Sequence, residues 1–168
     1  KSQADRCKEI LVGLSKNPQN LKDNFFEKIK LVDLIKLNFD KFNNNKKLNF
    51  IYDNFDKDNK IYFKDEINYA LGNIIQNSIL FSKSQINVFL KIHDNSFIIK
   101  VEDDGNGFSK DVLDKLGEPY ISKNNKGMGL GIFIAKNLIE NMKGNIIFYN
   151  SLNNCAVVEI KFDKTILL

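Results

Sequence analysis

Cysteine and histidine are scarce in this sequence of 168 residues. The two cysteines, Cys7 and Cys155, are far apart and match no metal-ligand spacing, and His93 is the single histidine. This scarcity excludes a small secreted scaffold held by disulfides and a structural zinc site. We therefore expect a reducing compartment, and we interpret His93, which falls within a predicted strand, as a surface or packing residue.

Long apolar runs and arginine are also lacking. No stretch approaches the roughly 20 apolar residues that cross a bilayer, and no signal-peptide pattern opens the chain. The net charge of +4 comes from lysines scattered along the sequence, with Arg6 as the only arginine. Because nucleic-acid binders usually concentrate lysine and arginine on one face, we expect no nucleic-acid partner.

The residues that are present are those of a folded, soluble protein. With 43% hydrophobic and 27% charged residues, the length suits one domain with a short appendage. The spacing of Cys7, Ile10, Leu11 and Leu14 predicts a helix end, and a linker that contains Pro18 follows it. Since the chain starts inside this helical pattern, we expect it to be a fragment of a longer protein.

Hydrophobic periodicity predicts the remaining elements. Helices are predicted over 25–42 with an interruption near 36–38, over 65–82, and over 129–142 with Gly144 as the cap. A short strand is predicted near 48–52, and two hairpins over 85–103 and 145–162, the first turning at Asn95 and Ser96. This order predicts an α+β fold in which helices are layered on one face of a mixed sheet.

Two asparagines form the first candidate cluster. Asn73 and Asn77 stand four residues apart, which places both amides on one face of the predicted helix 65–82. An amide oxygen is a hard, uncharged ligand that suits Mg²⁺. In a sequence rich in asparagine, this pair by itself indicates little.

The second cluster is VEDDGNGF, in which Asp103, Gly105 and Gly107 follow an apolar strand. A carboxylate in this place can accept a hydrogen bond from an exocyclic amine, and the glycines let the backbone approach a flat ring closely. An acidic turn after a strand is the other interpretation of these residues.

The third cluster is GMGLG, in which Gly127, Gly129 and Gly131 lead into the last helix. Free backbone N–H groups and the helix dipole at such a start favour an anion, and phosphates are the expected ligand. These glycines do not follow the first strand of a βαβ unit, and no Gly-Lys-Ser or Gly-Lys-Thr is present. Neither the Rossmann fingerprint nor the P-loop therefore fits.

In this order, the three clusters resemble the N, G1 and G2 boxes of the GHKL superfamily of ATPases and kinases. The resemblance covers roughly residues 28–162 and implies the two-layer α/β sandwich known as the Bergerat fold, with ATP and Mg²⁺ as ligands. It implies that Asp103 binds the adenine amine, that Asn77 holds Mg²⁺, and that the three glycines of the last cluster cradle the phosphates. The remaining nucleotide contacts that it implies are Asn73, Gly105, Gly107, Tyr120, Lys123 and Leu130.

Asn73 indicates which chemistry the resemblance implies. Hydrolytic members such as gyrase carry a glutamate four residues before the magnesium asparagine, as the base that activates water. An amide cannot take this proton, so Asn73 favours phosphoryl transfer, as in sensor histidine kinases, to which the run GMGLGIFIAKNLIE is similar. The phosphoacceptor histidine is expected on a helix upstream of Lys1, which leaves this chain with no catalytic residue and Asn73 in a supporting role.

The stretches DRCKEIL and LGEPYIS look most like the redox-responsive RegB/PrrB type, with Cys7 at the position of its cysteine. The resemblance then divides the chain into the end of a dimerisation helix (1–17), a linker (18–27) and the catalytic ATP-binding domain (28–168). It implies a homodimer through the dimerisation and phosphoacceptor domain, and a cognate response regulator. It also implies a cytoplasmic location, with membrane contact only through missing upstream segments of an inner-membrane protein.

One departure from the family pattern concerns the phosphate contacts. Many histidine kinases place lysine or arginine three residues after the magnesium asparagine, where this chain has Leu80, and Lys123 is preferred over Lys126 as the substitute. Two alternatives stay open at this point. One is a free-standing serine kinase of the anti-sigma-factor type, and the other is a degenerate module that binds nucleotide or a partner without catalysis.

Overall fold

The described part of the chain forms a five-stranded mixed sheet, a two-stranded sheet and the helices that pack on them. The structure is a computed structural model, and it describes residues 28–42, 45–119 and 129–167. In chain order the elements are β1 (Lys28–Lys30), α1 (Leu31–Phe42), β2 (Lys47–Asp53), β3 (Lys60–Tyr62), α2 (Asp65–Phe81), β4 (Gln85–His93), β5 (Ser96–Asp103), α3 (Lys110–Leu113), α4 (Gly131–Asn141), β6 (Asn145–Asn150), β7 (Ala156–Asp163) and a closing 3-10 turn (Lys164–Ile166).

The large sheet has the order β2-β4-β5-β7-β6, with β2 parallel to β4 and every other neighbour antiparallel. Alternate residues of β4 and of the central strand β5, among them Val88 and Ile99, are fully buried against the helices. Their neighbours on the other face form polar pairs such as Lys91 with Asp53. The alternation that predicted the hairpins therefore also sorts the residues between core and solvent, and the predicted mixed sheet with helices on one face is confirmed.

Helix α2 is the central helix and contacts both α1 and α4. Its buried residues recur every three or four positions and include Ile67, Leu71, Ile74 and Ile75, each of which is at most 2% exposed. Burial of one such side chain stabilises the fold by roughly 1.5–3 kcal/mol. The first turn of α2 carries two acidic residues, which suits the positive end of the helix dipole. The position of α2 is therefore held by packing along most of its length.

A polar joint links α1 to α2 inside this apolar packing. Asn38 is 7% exposed, and its Nδ2 donates to Leu34 O at 3.0 Å and to Asn68 Oδ1 at 2.9 Å. A Cβ at Gly72 would lie 2.8 Å from Asn38 Oδ1, so the two helices approach closely only because Gly72 has no side chain. The joint thus holds α2 at a defined distance from α1.

The joint also explains one error of the sequence analysis. Helix α1 begins at Leu31 and continues without a break through 36–38, whereas an earlier start and an interruption were predicted. Asn38 does not break the helix because its amide donates within the helix and across to α2. The described residues before α1 form β1, which pairs antiparallel with β3, and neither strand was predicted.

The other boundaries differ in small ways. Helix α4 begins at Gly131 rather than Gly129 and ends at Asn141, and the first hairpin turns at Asp94 and Asn95, with Ser96 already in β5. His93 ends β4 as an exposed residue beside Asp94, as predicted. None of the helices among the described residues is long and apolar enough to cross a membrane.

The cap of α4 was assigned to the wrong residue. Lys143, with φ of 60°, takes the left-handed position, and its N–H donates to Glu140 O at 2.9 Å. The N–H of Gly144 donates to Ile139 O at 2.9 Å, which completes a Schellman motif. Gly144 is needed for packing instead, because a Cβ there would overlap the Phe162 ring.

Candidate functional site

Helix α2 contacts both of the other predicted clusters: one of its faces meets the start of α4, and its last residue, Phe81, packs against Gly105 just after β5. A Cβ at Gly131 would lie 3.1 Å from Asn73 Oδ1 and 3.5 Å from Asn77 Nδ2. Both amides of α2 therefore face the first residue of α4, and the glycine at that position allows the close approach. The structure brings Gly131 together with Asn73 and Asn77, although the glycine comes more than 50 residues after them in the sequence.

The two asparagine amides are oriented within α2 itself. Asn73 is 9% exposed and its Nδ2 donates to Tyr69 O at 2.9 Å, while Asn77 Nδ2 donates to Asn73 O at 2.9 Å. Because the amide nitrogens donate within the helix, the oxygens are the atoms that can accept a hydrogen bond or ligate a cation. The arrangement therefore offers neutral hard oxygen donors beside a helix start.

Asp103, the last residue of β5, is buried, with 5% of its surface exposed. Its Oδ1 accepts the N–H of Gly105 at 3.0 Å. Burial raises the pKa of Asp103 to about 6. The Gly105 hydrogen bond opposes this rise, and the charges of Asp104 and Glu102 add to it. The carboxylate is thus ionised at neutral pH but poorly solvated, which favours acceptance of a hydrogen bond from a ligand.

The glycines after Asp103 are required by neighbouring protein atoms. A Cβ at Gly105 would lie 2.5 Å from Phe81 O and 2.7 Å from Asp103 Oδ1. Gly107 has φ of +71°, and a Cβ there would overlap Asn154 O and lie 2.9 Å from Asn150 Oδ1. These glycines were predicted to let the backbone approach a flat ring. In the structure they first allow close contacts within the protein, of Gly105 with Phe81 O and of Gly107 with Asn154 O.

Asp104 is a structural residue that the sequence analysis passed over. Its carboxylate accepts the N–H of Lys83 at 2.7 Å, the N–H of Ser84 at 2.9 Å and the Ser84 hydroxyl at 2.6 Å. Burial acts to raise the pKa of Asp104, but these hydrogen bonds lower it to about 2. The adjacent residues Asp103 and Asp104 thus have opposite environments, which raise the pKa of the first and lower that of the second. Strand alternation turns successive side chains to opposite faces, and this pattern could have indicated the difference.

Asn150 is the second residue that sequence reasoning missed. Its side chain accepts the N–H of Phe108 at 2.8 Å and donates to Phe108 O at 2.9 Å. The two residues are 42 positions apart, and nothing in the local pattern of β6 indicates this contact.

The start of α4 contains the described part of the third cluster. Gly129 has φ of +67°, and Leu130, the residue before the helix, accepts the N–H of Ile134 at 2.9 Å. Leu130 makes no side-chain cap, so the first N–H groups of α4 are not satisfied by that residue. Tyr120, Lys123, Lys126 and Gly127 lie outside the described residues, as does Cys7.

Comparisons with known proteins identify the family of the chain. The family described as "Histidine kinase-, DNA gyrase B-, and HSP90-like ATPase" matches residues 64–166. An NtrY-like sensor histidine kinase of Rickettsia typhi is 32% identical over 102 residues, which cover 58% of this chain and 17% of that protein. Sensor histidine kinase RegB of Cereibacter sphaeroides is 28% identical over 99 residues, covering 52% and 21%. The chain therefore corresponds to a minor part of these relatives.

Solved structures establish the fold. The mycobacterial sensor histidine kinase MprB matches with a TM-score of 0.69 at 14% identity, over 82% of this chain and 97% of that one. The catalytic domain of histidine kinase ThkA matches with a TM-score of 0.65 at 21% identity, over 82% of this chain and 95% of that one. Full-length ShkA in complex with AMPPNP matches with 0.67 at 16% identity, over 82% and 30%. The predicted two-layer α/β sandwich is confirmed by these matches.

Proposed function

Because the chain belongs to the family of histidine kinase-, DNA gyrase B- and HSP90-like ATPases, we propose that it is the ATP-binding catalytic domain of a sensor histidine kinase. In this role it presents the γ-phosphate of ATP to a histidine on a dimerisation helix outside this chain. The observation that carries the proposal is the meeting of Asn73, Asn77 and Gly131 in a site whose residue at the position of the hydrolytic base is an amide.

The residues present fit ATP and Mg²⁺. The buried Asp103 carboxylate can accept a hydrogen bond from the adenine amine, and Asn77 supplies a neutral oxygen suited to Mg²⁺. The glycine-rich start of α4 suits the phosphates, because its first N–H groups point along the helix dipole. Bound Mg²⁺ neutralises phosphate charge, while the protein positions the nucleotide. Tyr120, Lys123 and Gly127 complete this proposed site.

Asn73 supports transfer rather than hydrolysis. Its amide has no lone pair that takes a proton from water at neutral pH, and its nitrogen is already engaged with Tyr69 O. A water molecule beside the γ-phosphate would therefore lack a base at this position. Asn73 orients neighbouring groups, and the acceptor of the phosphoryl group is a histidine from another segment.

The finer assignments follow from this proposal. Residues 1–17 are the end of a dimerisation helix, 18–27 a linker and 28–168 the catalytic domain, in a homodimer on the cytoplasmic side of the inner membrane with a cognate response regulator. The relatives named sensor histidine kinases support these assignments. The RegB relative supports the RegB-like subtype, for which we propose Cys7 as the redox sensor, although the NtrY-like relative has the higher identity.

Calorimetric titration with AMPPNP, with and without Mg²⁺, tests the nucleotide site. We expect binding that Mg²⁺ strengthens and that Asp103→Ala abolishes. Asp53→Ala is the matched control. Asp53 lies on the edge strand β2, where it forms an exposed ion pair with Lys91 of β4. Equal affinity in parent and Asp103→Ala would contradict the site, and absence of binding in the parent would contradict the function.

Two assays separate transfer from the alternatives. With Mg-ATP, this chain should release little inorganic phosphate, and rapid release would contradict transfer chemistry. In the longer protein that we propose, labelled ATP should produce an acid-labile phosphohistidine. An acid-stable phosphoserine on a partner protein would instead identify a serine kinase, and binding without any transfer would identify a degenerate module.

A further inference from the structure

The turn that joins β6 to β7 makes hydrogen bonds to the segment that follows Asp103. We call residues 103–108 the glycine loop and residues 150–155 the hairpin turn. Asn150 Oδ1 accepts the N–H of Phe108 at 2.8 Å, and Asn150 Nδ2 donates to Phe108 O at 2.9 Å. One side chain therefore satisfies both backbone polar groups of Phe108, in the way that a neighbouring strand would.

A second residue of the hairpin turn continues this contact. Asn154 Nδ2 donates to Asn106 O at 3.3 Å, and the Asn154 carbonyl packs where a side chain of Gly107 would be. The turn is itself closed by hydrogen bonds, from Ser151 N to Cys155 O at 2.9 Å and from Asn154 N to Ser151 O at 2.8 Å. The hairpin turn is thus an ordered surface against which the glycine loop rests.

The glycine loop is held at its other end by different contacts. Asp104 accepts hydrogen bonds from Lys83 and Ser84 in the connection between α2 and β4, and Gly105 packs against Phe81 O. Gly107 lies between these two anchors, and Asp103, which the proposed function assigns to the adenine, directly precedes the first of them. The anchor at Asp104 is adjacent to Asp103, whereas Asn150 fixes the distal end of the loop at Phe108 and Asn154 adds a bond to Asn106.

We propose that Asn150 is a positioning residue for nucleotide binding: it holds the glycine loop in its receptive form without contacting the ligand. This inference rests on the proposed function. Without Asn150, Gly105 and Gly107 gain conformational freedom, because glycine has few steric limits, and ordering the loop then opposes binding. Asn150 is therefore required for full affinity rather than for the fold.

The test compares two asparagines on the two edge strands of the large sheet. Asn150→Ala on β6 removes both bonds to Phe108, and Asn49→Ala on β2 removes side-chain bonds to Gln85 and Asn87. In calorimetry with AMPPNP and Mg²⁺, we expect Asn150→Ala to weaken affinity roughly tenfold and Asn49→Ala to change it less than about twofold. The melting temperature of each variant is measured in parallel.

Each result has one meaning. Weaker affinity in Asn150→Ala alone supports the inference, even where both variants melt earlier. Parent-like affinity with a lower melting temperature shows a merely structural role and overturns the inference, while the proposed function stands. If the parent itself binds no nucleotide, the proposed function fails and the inference fails with it.

Amide hydrogen exchange without nucleotide provides an independent readout. The N–H groups of Gly105, Gly107 and Phe108 should exchange faster in Asn150→Ala than in Asn49→Ala, and equal rates would overturn the inference. If Asn150→Ala does not fold, Asn154→Gly replaces it, because glycine accepts the φ of 58° at this position and removes the bond to Asn106. Faster exchange at 106–108 with severalfold weaker binding is then expected, and parent-like values in both measurements would overturn the proposal.

Discussion

Helix α2 meets each of its two neighbouring helices where an asparagine of one helix faces a glycine of the other, and the two contacts have the same geometry. At the contact with α1, Asn38 of α1 donates to the carbonyl four residues before it and turns its oxygen to Gly72 of α2. Toward α4, Asn73 donates to the carbonyl four residues before it and turns its oxygen to Gly131. Both side chains are almost fully buried. Residue type, burial and local bonding therefore do not distinguish them.

The difference lies in what stands across the gap. Asn38 donates to the side chain of Asn68 where α1 packs on α2, so a group of the facing helix satisfies its amide nitrogen. Asn73 and Asn77 meet the first turn of α4, where the backbone N–H groups have no partner within the helix. An asparagine whose amide donates to a side chain of the facing helix holds the fold, whereas asparagines that face the first turn of a helix can serve a ligand.

The largest expected effect is a loss of nucleotide affinity when an asparagine on the α4 side of α2 is replaced. Asn77→Ala should weaken AMPPNP affinity in the presence of Mg²⁺ by about 10- to 100-fold, as loss of a metal-orienting group does. Without Mg²⁺ the difference between parent and variant should shrink, because the lost oxygen acts on the cation. Titration under both conditions measures this, and an equal loss without Mg²⁺ would assign Asn77 to direct nucleotide contact.

The joint should respond in stability instead. Asn38→Ala leaves Asn68 Oδ1 without its 2.9 Å partner at a part-buried position, at a cost of about 1–3 kcal/mol. Urea unfolding followed by circular dichroism measures this change. AMPPNP affinity well below the unfolding midpoint should stay within about twofold of the parent. A large loss of affinity in the folded variant would show that the joint also sets the site.

Gly131→Ala should change affinity more than stability. The added Cβ would lie 3.1 Å from Asn73 Oδ1, so the amide must shift by a few tenths of an ångström beside the proposed phosphate site. We expect AMPPNP affinity to fall roughly threefold to tenfold, since small displacements in a binding site are costly. Gly72→Ala, which displaces Asn38 instead, is the control, and equal affinities for the two variants would contradict the comparison.

The smallest expected effect is a pH dependence of nucleotide affinity, which Asp103 of the site causes. Burial raises the pKa of Asp103 from 3.8 to about 6, so its contribution to stability is present below pH 3.8 and is lost as the pH rises through 6. Affinity should move the other way, because the ionised carboxylate is the better acceptor for an amine. Titrations at pH 5 and pH 7.5 should differ severalfold in the parent and not in Asp103→Asn.

Much of the fold could be predicted because it depends on local patterns. The alternation of β4 and β5 and the three-to-four spacing in α2 each place apolar residues on one face, whatever the rest of the chain does. Strands β1 and β3 were missed because three residues are too short to display a period. The break predicted near Asn38 was wrong because the partner that satisfies it, Asn68, comes 30 residues later.

The candidate site divides in the same way. That Asn73 and Asn77 share a face, that Asp103 ends a strand and that the third glycine cluster leads into a helix follow from spacing alone, because the helix and strand periods determine them. Only the tertiary structure decided that Asn73 and Asn77 meet Gly131, that Gly107 is required by Asn154 and Asn150, and that Asp104 is bound to Ser84. Such pairings join distant positions, and the packing of whole elements selects them, so no local period contains them.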